Sequence, residues 1–144
     1  MLKREYYPNG KLKSEVFIVN GKREGEYKSY DNEKLFEIVN YVNDKMNGIY
    51  KRYNVLNGEV CLICNFIDGK YNGEWKSYYK NGQICIFSNY ENDTLNGEYK
   101  QYFDNGHLYE ICNYVNGKRN GEHKLFYDDG TLNKIINYID GKIV

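Results

Sequence analysis

The residues of this chain that could do chemistry are few, and their spacing works against them. Cys61 and Cys64 form a C-x-x-C, the spacing of a zinc ligand pair or a redox dithiol. On an extended strand, positions three apart point to opposite faces, so these thiols cannot share a tetrahedral metal. Cys64 and Cys112 share a column two units apart, about 20 Å by strand spacing, and Cys61 and Cys85 share one at about 10 Å. Neither distance closes a disulfide, and all four cysteines read as small hydrophobes. His107 follows a turn glycine, and His123 stands where comparable segments carry Tyr50, Trp75 or Tyr99, which makes it a packing variant rather than a base. No Ser or Cys sits in a nucleophile elbow, and no glycine run has the Walker or dinucleotide spacing. The residues therefore predict no catalytic group, no metal and no cofactor. Glu26, Glu74, Glu98 and Glu122 lie beside Lys28, Lys76, Lys100 and Lys124 and read as a solvated ladder of cross-strand ion pairs.

The elements that hold these residues follow from composition and repetition. Twenty basic and twenty acidic residues cancel, which argues against a phosphate-tracking role and hence against nucleic acid as a partner. With no alanine, 17 Tyr, 20 Asn and 14 Gly, the chain reads as β and excludes a helical bundle. Gly25-Glu26-Tyr27-Lys28-Ser29-Tyr30 returns at Gly48, Gly73, Gly97 and Gly121, at intervals of 23, 25, 24 and 24 residues. Asn-Gly or Asp-Gly follows in most copies, the strongest short-range hairpin signal, as at Asn9-Gly10, Asn57-Gly58, Asn81-Gly82, Asn105-Gly106 and Asp129-Gly130. A second strand-like run and a second turn then close each unit, for example Leu108 to Val115 followed by Asn116-Gly117.

Columns in the second run place Leu12, Leu35, Val60, Ile84, Leu108 and Leu132 over one another, with Ile38, Ile63, Phe87, Ile111 and Ile135 three residues further on. A column of Asn40, Asn65, Asn89, Asn113 and Asn137 reads as structural. The expected fold is all-β: an elongated single antiparallel meander of stacked hairpin repeats, about 24 residues each. Residues 1–144 are expected to form one repeat domain of about six units, the first and last partial, spanning on the order of 55 Å.

The Tyr-Tyr-x-Asn-Gly signature (Tyr78-Tyr79-Lys80-Asn81-Gly82) and the Asn-Gly-Lys-x-x-Gly signature (Asn116 to Gly121) resemble the variant form of the MORN repeat, from about Tyr6 to Lys142. Gly-Glu-Tyr stands here where the familiar MORN unit has Gly-x-Gly. The resemblance implies a hairpin-repeat module of bacterial or giant-virus type, used as a scaffold, a dimerisation element or a phospholipid binder. A non-catalytic structural or protein-interaction scaffold with a protein partner is the first expectation. Peripheral binding to a phosphoinositide membrane, through Lys28, Lys51, Lys76, Lys100 and Lys124, and antitoxin-like binding of a partner protein are the alternatives. The amino end lacks the apolar core of a secretory signal, and no run reaches the roughly eighteen apolar residues of a membrane span. A cytoplasmic location is expected, or host cytoplasm or virion for a viral chain, and not secretion.

Two surfaces are candidates for binding. Tyr27, Tyr50, Trp75 and Tyr99 recur at one strand position, with Tyr30, Tyr53, Tyr78 and Tyr102 three positions on, nominally on the opposite face. Both strips read as the core of a thin protein, or one lines a shallow groove for an extended partner. Base stacking on such a strip is disfavoured by the zero net charge. The second surface is the carboxyl-terminal edge, where Leu132, Ile135, Ile136, Tyr138 and Ile139 predict an open apolar strand and a two-fold homodimer.

Overall fold

A computed structural model describes every residue, Met1–Val144, and builds the chain from strands joined by turns and short irregular links, with no helix. The chain divides into two compact units, Met1–Lys70 and Tyr71–Val144. The first carries β1 (Leu2–Tyr6), β2 (Leu12–Val19), β3 (Lys22–Asp31), β4 (Lys34–Val42), the short β5 (Lys45–Met46), β6 (Gly48–Tyr53) and β7 (Val60–Ile67). The second carries β8 (Lys70–Tyr78), β9 (Ile84–Glu91), β10 (Thr94–Tyr102), β11 (Leu108–Val115), the short β12 (Lys118–Arg119), β13 (Gly121–Phe126), β14 (Leu132–Ile139) and the short β15 (Lys142–Ile143). Within each unit the long strands pair antiparallel in chain order, and each short strand is a spur on the strand before it. The expected all-β meander of hairpins is the fold observed.

Two kinds of turn alternate. In the first kind Gly10 N donates to Tyr7 O and Tyr7 N to Lys11 O, at 2.9 and 2.8 Å, and Gly10 takes φ +82° while Asn9 stays in the ordinary region. This is a type I turn closed by a left-handed glycine, and it recurs at Gly82, Gly106 and Gly130. The Asn-Gly pair thus makes a hairpin, but the asparagine works through its side chain: Asn9, Asn81 and Asn105 Oδ1 each accept the amide two residues on, at 2.9–3.0 Å. The second kind is a two-residue turn with both φ positive, as at Asn20-Gly21, Asp68-Gly69, Asn116-Gly117 and Asp140-Gly141.

The uneven repeat spacing has a local cause. From Tyr78 to Ile84 the chain uses the first kind of turn. From Tyr30 to Leu35 it is one residue shorter and becomes a two-residue turn on Asn32 and Glu33, with φ +47° and +66°. From Tyr53 to Val60 it is one residue longer. These two changes account for the intervals of 23 and 25. Glu33 holds a left-handed backbone that costs a side-chain-bearing residue about 1 kcal/mol or more, against glycine's smaller entropic cost. Glu33→Gly should therefore raise the midpoint of urea unfolding by the equivalent of about 0.5–1 kcal/mol, the exposed Lys11–Glu33 pair being worth little. An unchanged or lower midpoint would contradict this.

One face of each sheet is buried. In the first unit it carries Ser14, Val16, Ser29, Val39, Tyr41, Tyr50, Cys64 and Phe66, and in the second Ser88, Glu110, Cys112 and His123. Register puts them in rows: Val16 opposite Tyr27 opposite Val39, and Ser88 opposite Tyr99 opposite Cys112. A single layer buries this face by laying rings across glycines. Tyr41 stands opposite Gly25, Phe66 opposite Gly48, Tyr114 opposite Gly97 and Tyr138 opposite Gly121. Across that gap Tyr41 meets Tyr27 edge-on at 5.8 Å, Phe66 meets Tyr50 at 6.0 Å, and Tyr114 meets Tyr99 at 6.0 Å. The glycines sit at φ +80° to +108°, and it is this left-handed backbone, rather than a lack of space, that calls for glycine at Gly25, Gly48 and Gly121.

The other face carries the lysines over the apolar column: Lys28 opposite Ile38, Lys51 opposite Ile63, Lys76 opposite Phe87, Lys100 opposite Ile111 and Lys124 opposite Ile135. Their ion pairs differ from the expected cross-strand ladder. Lys76 binds Glu74 at 2.5 Å, Lys100 binds Glu98 and Lys124 binds Glu122 at 2.7 Å, and Lys28 binds Glu26. Each pair is two apart on one strand, where alternation returns the side chain to the same face. The residue opposite each glutamate is Asn40, Asn89, Asn113 or Asn137, which carries no charge to pair.

Candidate interaction site

The aromatic strip lies on the buried face. Tyr50 is 7% exposed, and Tyr27, Trp75 and Tyr99 are half-buried, so their ring edges reach solvent. Tyr30, Tyr53, Tyr78 and Tyr102 are half-buried as well; Tyr30 Oη donates to Glu15 at 3.0 Å. The sequence singled out the aromatic positions, and the structure adds the groups they bond. Tyr50 Oη donates to Glu37 Oε2 at 2.6 Å and accepts from Arg52 Nε at 3.0 Å. Burial, and then the Glu37 carboxylate, push the Tyr50 phenol far above its usual range, and burial pushes Tyr99 up to about 12.

His123 occupies the matching place in the second unit. It is 4% exposed, its Nε2 lies 2.7 Å from Glu110 Oε2, and its ring meets Tyr138 at 6.0 Å. Arg119 approaches the same carboxylate at 3.8 Å and lies over the Tyr114 and Tyr138 rings. Register equates Glu37 with Glu110, since each stands one strand away from the aromatic position of the following repeat. Sequence reasoning missed both acids. They share a column with Ser14, Leu62, Ile86 and Lys134, where an acid thirteen residues before the Tyr50 or His123 position is the one available signal.

In the first unit the buried face opens into a hollow of about 230 Å³. Val16, Tyr27 and Tyr41 form its apolar floor, and Lys3, Arg23 and Glu37 its charged margin. Lys3 pairs with Glu5 at 3.1 Å. Arg23 pairs with Asp44 at 3.1 Å and stacks on the Tyr41 ring at 4.1 Å. Lys3 and Arg23 are thus paired, and the hollow offers a mixed surface, polar groups beside the Tyr27 and Tyr41 rings.

The cysteines remain free thiols, Cys64 and Cys112 buried and Cys61 and Cys85 half-buried. Burial pushes the Cys64 thiol up to about 12, the reverse of the lowered value a metal ligand or nucleophile needs. His107 Nδ1 lies 2.7 Å from the Asp128 carbonyl, joining one turn to the next. Tyr7 and Tyr79 do the same through Oη donated to the carbonyls of Tyr30 and Tyr102, at 3.0 and 2.6 Å.

At the carboxyl-terminal edge Leu132, Ile135 and Ile139 are exposed, while Ile136 and Tyr138 are half-buried. Part of that edge is covered. β15 pairs with Tyr138 and Ile139, and Val144 N donates to Asn137 O at 3.0 Å, which leaves Leu132 to Ile136 open.

A hairpin repeat of this register, with a ring laid over a left-handed glycine in each unit, defines an all-β repeat protein. The chain belongs to the MORN repeat variant family, whose signature matches residues 2–20, 23–43, 71–92, 95–116 and 119–140. The unmatched stretch between 43 and 71 contains the lengthened turn after Tyr53 and Ile49 in place of glutamate, yet β6 and β7 pair as the other hairpins do. No curated protein matches the chain. Among solved structures, a mutant of S. aureus TarM in complex with fondaparinux, alpha-GlcNAc-glycerol and UDP is similar at 14% identity and a TM-score of 0.35. That match covers 83% of this chain and 19% of the other.

Proposed function

We propose that the chain is a non-catalytic scaffold that binds a protein partner along its half-exposed aromatic strip. The observation that carries this reading is the use made of two acids, Glu110 buried and Glu37 half-buried. Glu37 and Glu110, the groups best placed to act as acid or base, are engaged by Tyr50 and Arg52 and by His123 and Arg119. What stays open on that face is ring surface at Tyr27, Trp75 and Tyr99, beside a shallow hollow. Within the second unit, an extended segment laid across the strands meets Trp75 and then Tyr99, one ring per repeat, an arrangement suited to several weak contacts along a length of chain.

Capture from the source cell tests it. Wild-type chain should retain a defined protein that Trp75→Lys and Tyr99→Lys release while keeping their circular dichroism spectra. Retention unaffected by both substitutions would contradict the assignment of the strip. The same-strand ion pairs argue against the anionic-membrane alternative, because four of the five lysines have a carboxylate within 2.7 Å. Vesicles containing anionic lipid should leave the chain in the supernatant at low salt, and sedimentation with them would revive that alternative.

A further inference from the structure

On the face that carries the lysines, one repeat breaks the rule that the others keep. Glu26, Glu74, Glu98 and Glu122 each hold the lysine two residues on, but Ile49 stands in that place before Lys51, which pairs with no carboxylate. Lys51 is half-buried, opposite Ile38 on one side and Ile63 on the other, and Ile49 is 58% exposed. Beside them lies a hollow of about 220 Å³, whose walls include Ile38, Asn40, Ile49, Lys51 and Tyr53. Glu26 also reaches it, but its carboxylate is taken by Lys28. Tyr53 borders a second hollow, of about 390 Å³, together with Leu35 and with Val55 and Leu56 of the lengthened turn. There Lys34 Nζ donates to Val55 O at 2.8 Å and pairs with no carboxylate, and Leu56 is 79% exposed.

Exposed aliphatic side chains are ordinary one by one. Here Ile49 and Leu56 flank an ammonium that has no counter-charge, and two hollows meet at Tyr53. Ile49, Lys51, Tyr53 and Leu56 all fall in the stretch between 43 and 71 that departs from the family signature. We infer that this surface binds an extended acidic segment of a partner protein. The segment's carboxylate meets Lys51 and supplies the charge that a glutamate supplies in the other repeats, while an apolar side chain on either side of it enters each hollow. Ile49, Lys51 and Tyr53 are spaced two residues apart on β6, about 7 Å, the spacing of same-face side chains in any extended chain. The matching segment therefore reads apolar, acidic, apolar at every second residue. A basic segment is rejected, because neither Lys51 nor Lys34 has an acid to offset it. The surface lies on the face opposite the aromatic strip, so it stands whatever the strip binds.

Nuclear magnetic resonance titration of the isotope-labelled 144-residue chain with an end-blocked peptide, Leu-Ser-Glu-Ser-Leu, tests this. Signals of Ile49, Lys51 and Leu56 should shift together and saturate with a midpoint of about 1 mM or lower. Exchanging the peptide's glutamate for glutamine should weaken binding by about threefold or more. Ile49→Glu, which gives Lys51 the acid that the other repeats have, should weaken it by about tenfold. Lys51→Glu should reverse the preference, so that Leu-Ser-Lys-Ser-Leu binds more tightly than the glutamate peptide. Circular dichroism checks the fold of both variants, and Ile49→Glu, the residue of four other repeats, decides the outcome if Lys51→Glu unfolds. No saturation by about 10 mM, equal binding of the glutamate and glutamine peptides, or indifference to Ile49→Glu would each overturn the inference. So would vesicles of phosphatidylcholine and phosphatidylserine that sediment the wild-type chain but not Ile49→Glu, a result that assigns the surface to a membrane.

Discussion

Glu110→Ile should destabilise the chain by about 3 kcal/mol or more, and adding His123→Tyr should return most of that loss. The carboxylate is held by His123 Nε2 at 2.7 Å and approached by Arg119 at 3.8 Å, and the histidine is 4% exposed. Removing the acid leaves the buried imidazole facing an apolar side chain with both ring nitrogens unpartnered, and the half-exposed Arg119 guanidinium without its nearby carboxylate. The double change writes the neighbouring repeat's own solution, Ile86 with Tyr99, into this place. His123→Tyr alone should cost less than about 1 kcal/mol, because Tyr50 with Glu37 shows that a phenol can donate to the same carboxylate position, there at 2.6 Å. Urea denaturation of the four proteins measures the cycle. A loss below about 1 kcal/mol for Glu110→Ile alone, or additive losses, would show that the pair does not act as a unit.

Stability should fall steeply with alkali. Burial raises the phenols of Tyr27, Tyr41, Tyr50, Tyr99 and Tyr114 and the thiols of Cys64 and Cys112. These groups are neutral when protonated, so the folded state keeps protons that the unfolded chain gives up. Above the unfolded thiol value, near about 8.5, and then above the phenol value, near about 10, the unfolded state binds fewer protons, and unfolding becomes easier as pH rises. Their contribution is complete below about pH 8 and is lost progressively towards the folded values, about 12 for Cys64 and Tyr99. Each such group lowers stability by about 1.4 kcal/mol per pH unit across its window, so several in parallel unfold a domain of ordinary stability. Phenolate absorbance should lag behind free tyrosine and then rise together with the loss of β circular dichroism. Smooth titration of all tyrosines near the free value, with the fold intact, would contradict the burial described here.

The repeat, its period and its strand type were legible because Gly-Glu-Tyr-Lys and Asn-Gly are local signals that need no tertiary context. The fate of the ion pairs was not, because column arithmetic does not say whether Lys76 turns to its own strand's Glu74 or across to a neighbour. That choice depends on Asn89 standing opposite the glutamate, which register alone reveals. Glu37 and Glu110 were overlooked for a related reason. In sequence they are ordinary surface-type acids, and only the pairing of β4 with β6 and of β11 with β13 brings them to Tyr50 and His123. At the carboxyl-terminal edge, β15 covers the far end of β14, since Asp140-Gly141 folds Lys142–Ile143 back onto Tyr138 and Ile139, a pairing that the apolar run from Leu132 to Ile139 did not indicate.

On the function proposed above, the acid, histidine and arginine of the buried face hold the sheet together while ring surface binds the partner. The folded double variant Glu110→Ile/His123→Tyr tests this most directly, because it removes the one buried acid–imidazole pair and keeps the packing. Its capture of the source-cell partner should match wild type within about twofold, a difference of about 0.4 kcal/mol. Loss of a biochemical activity in this variant, with capture unchanged and the fold intact, would contradict the account.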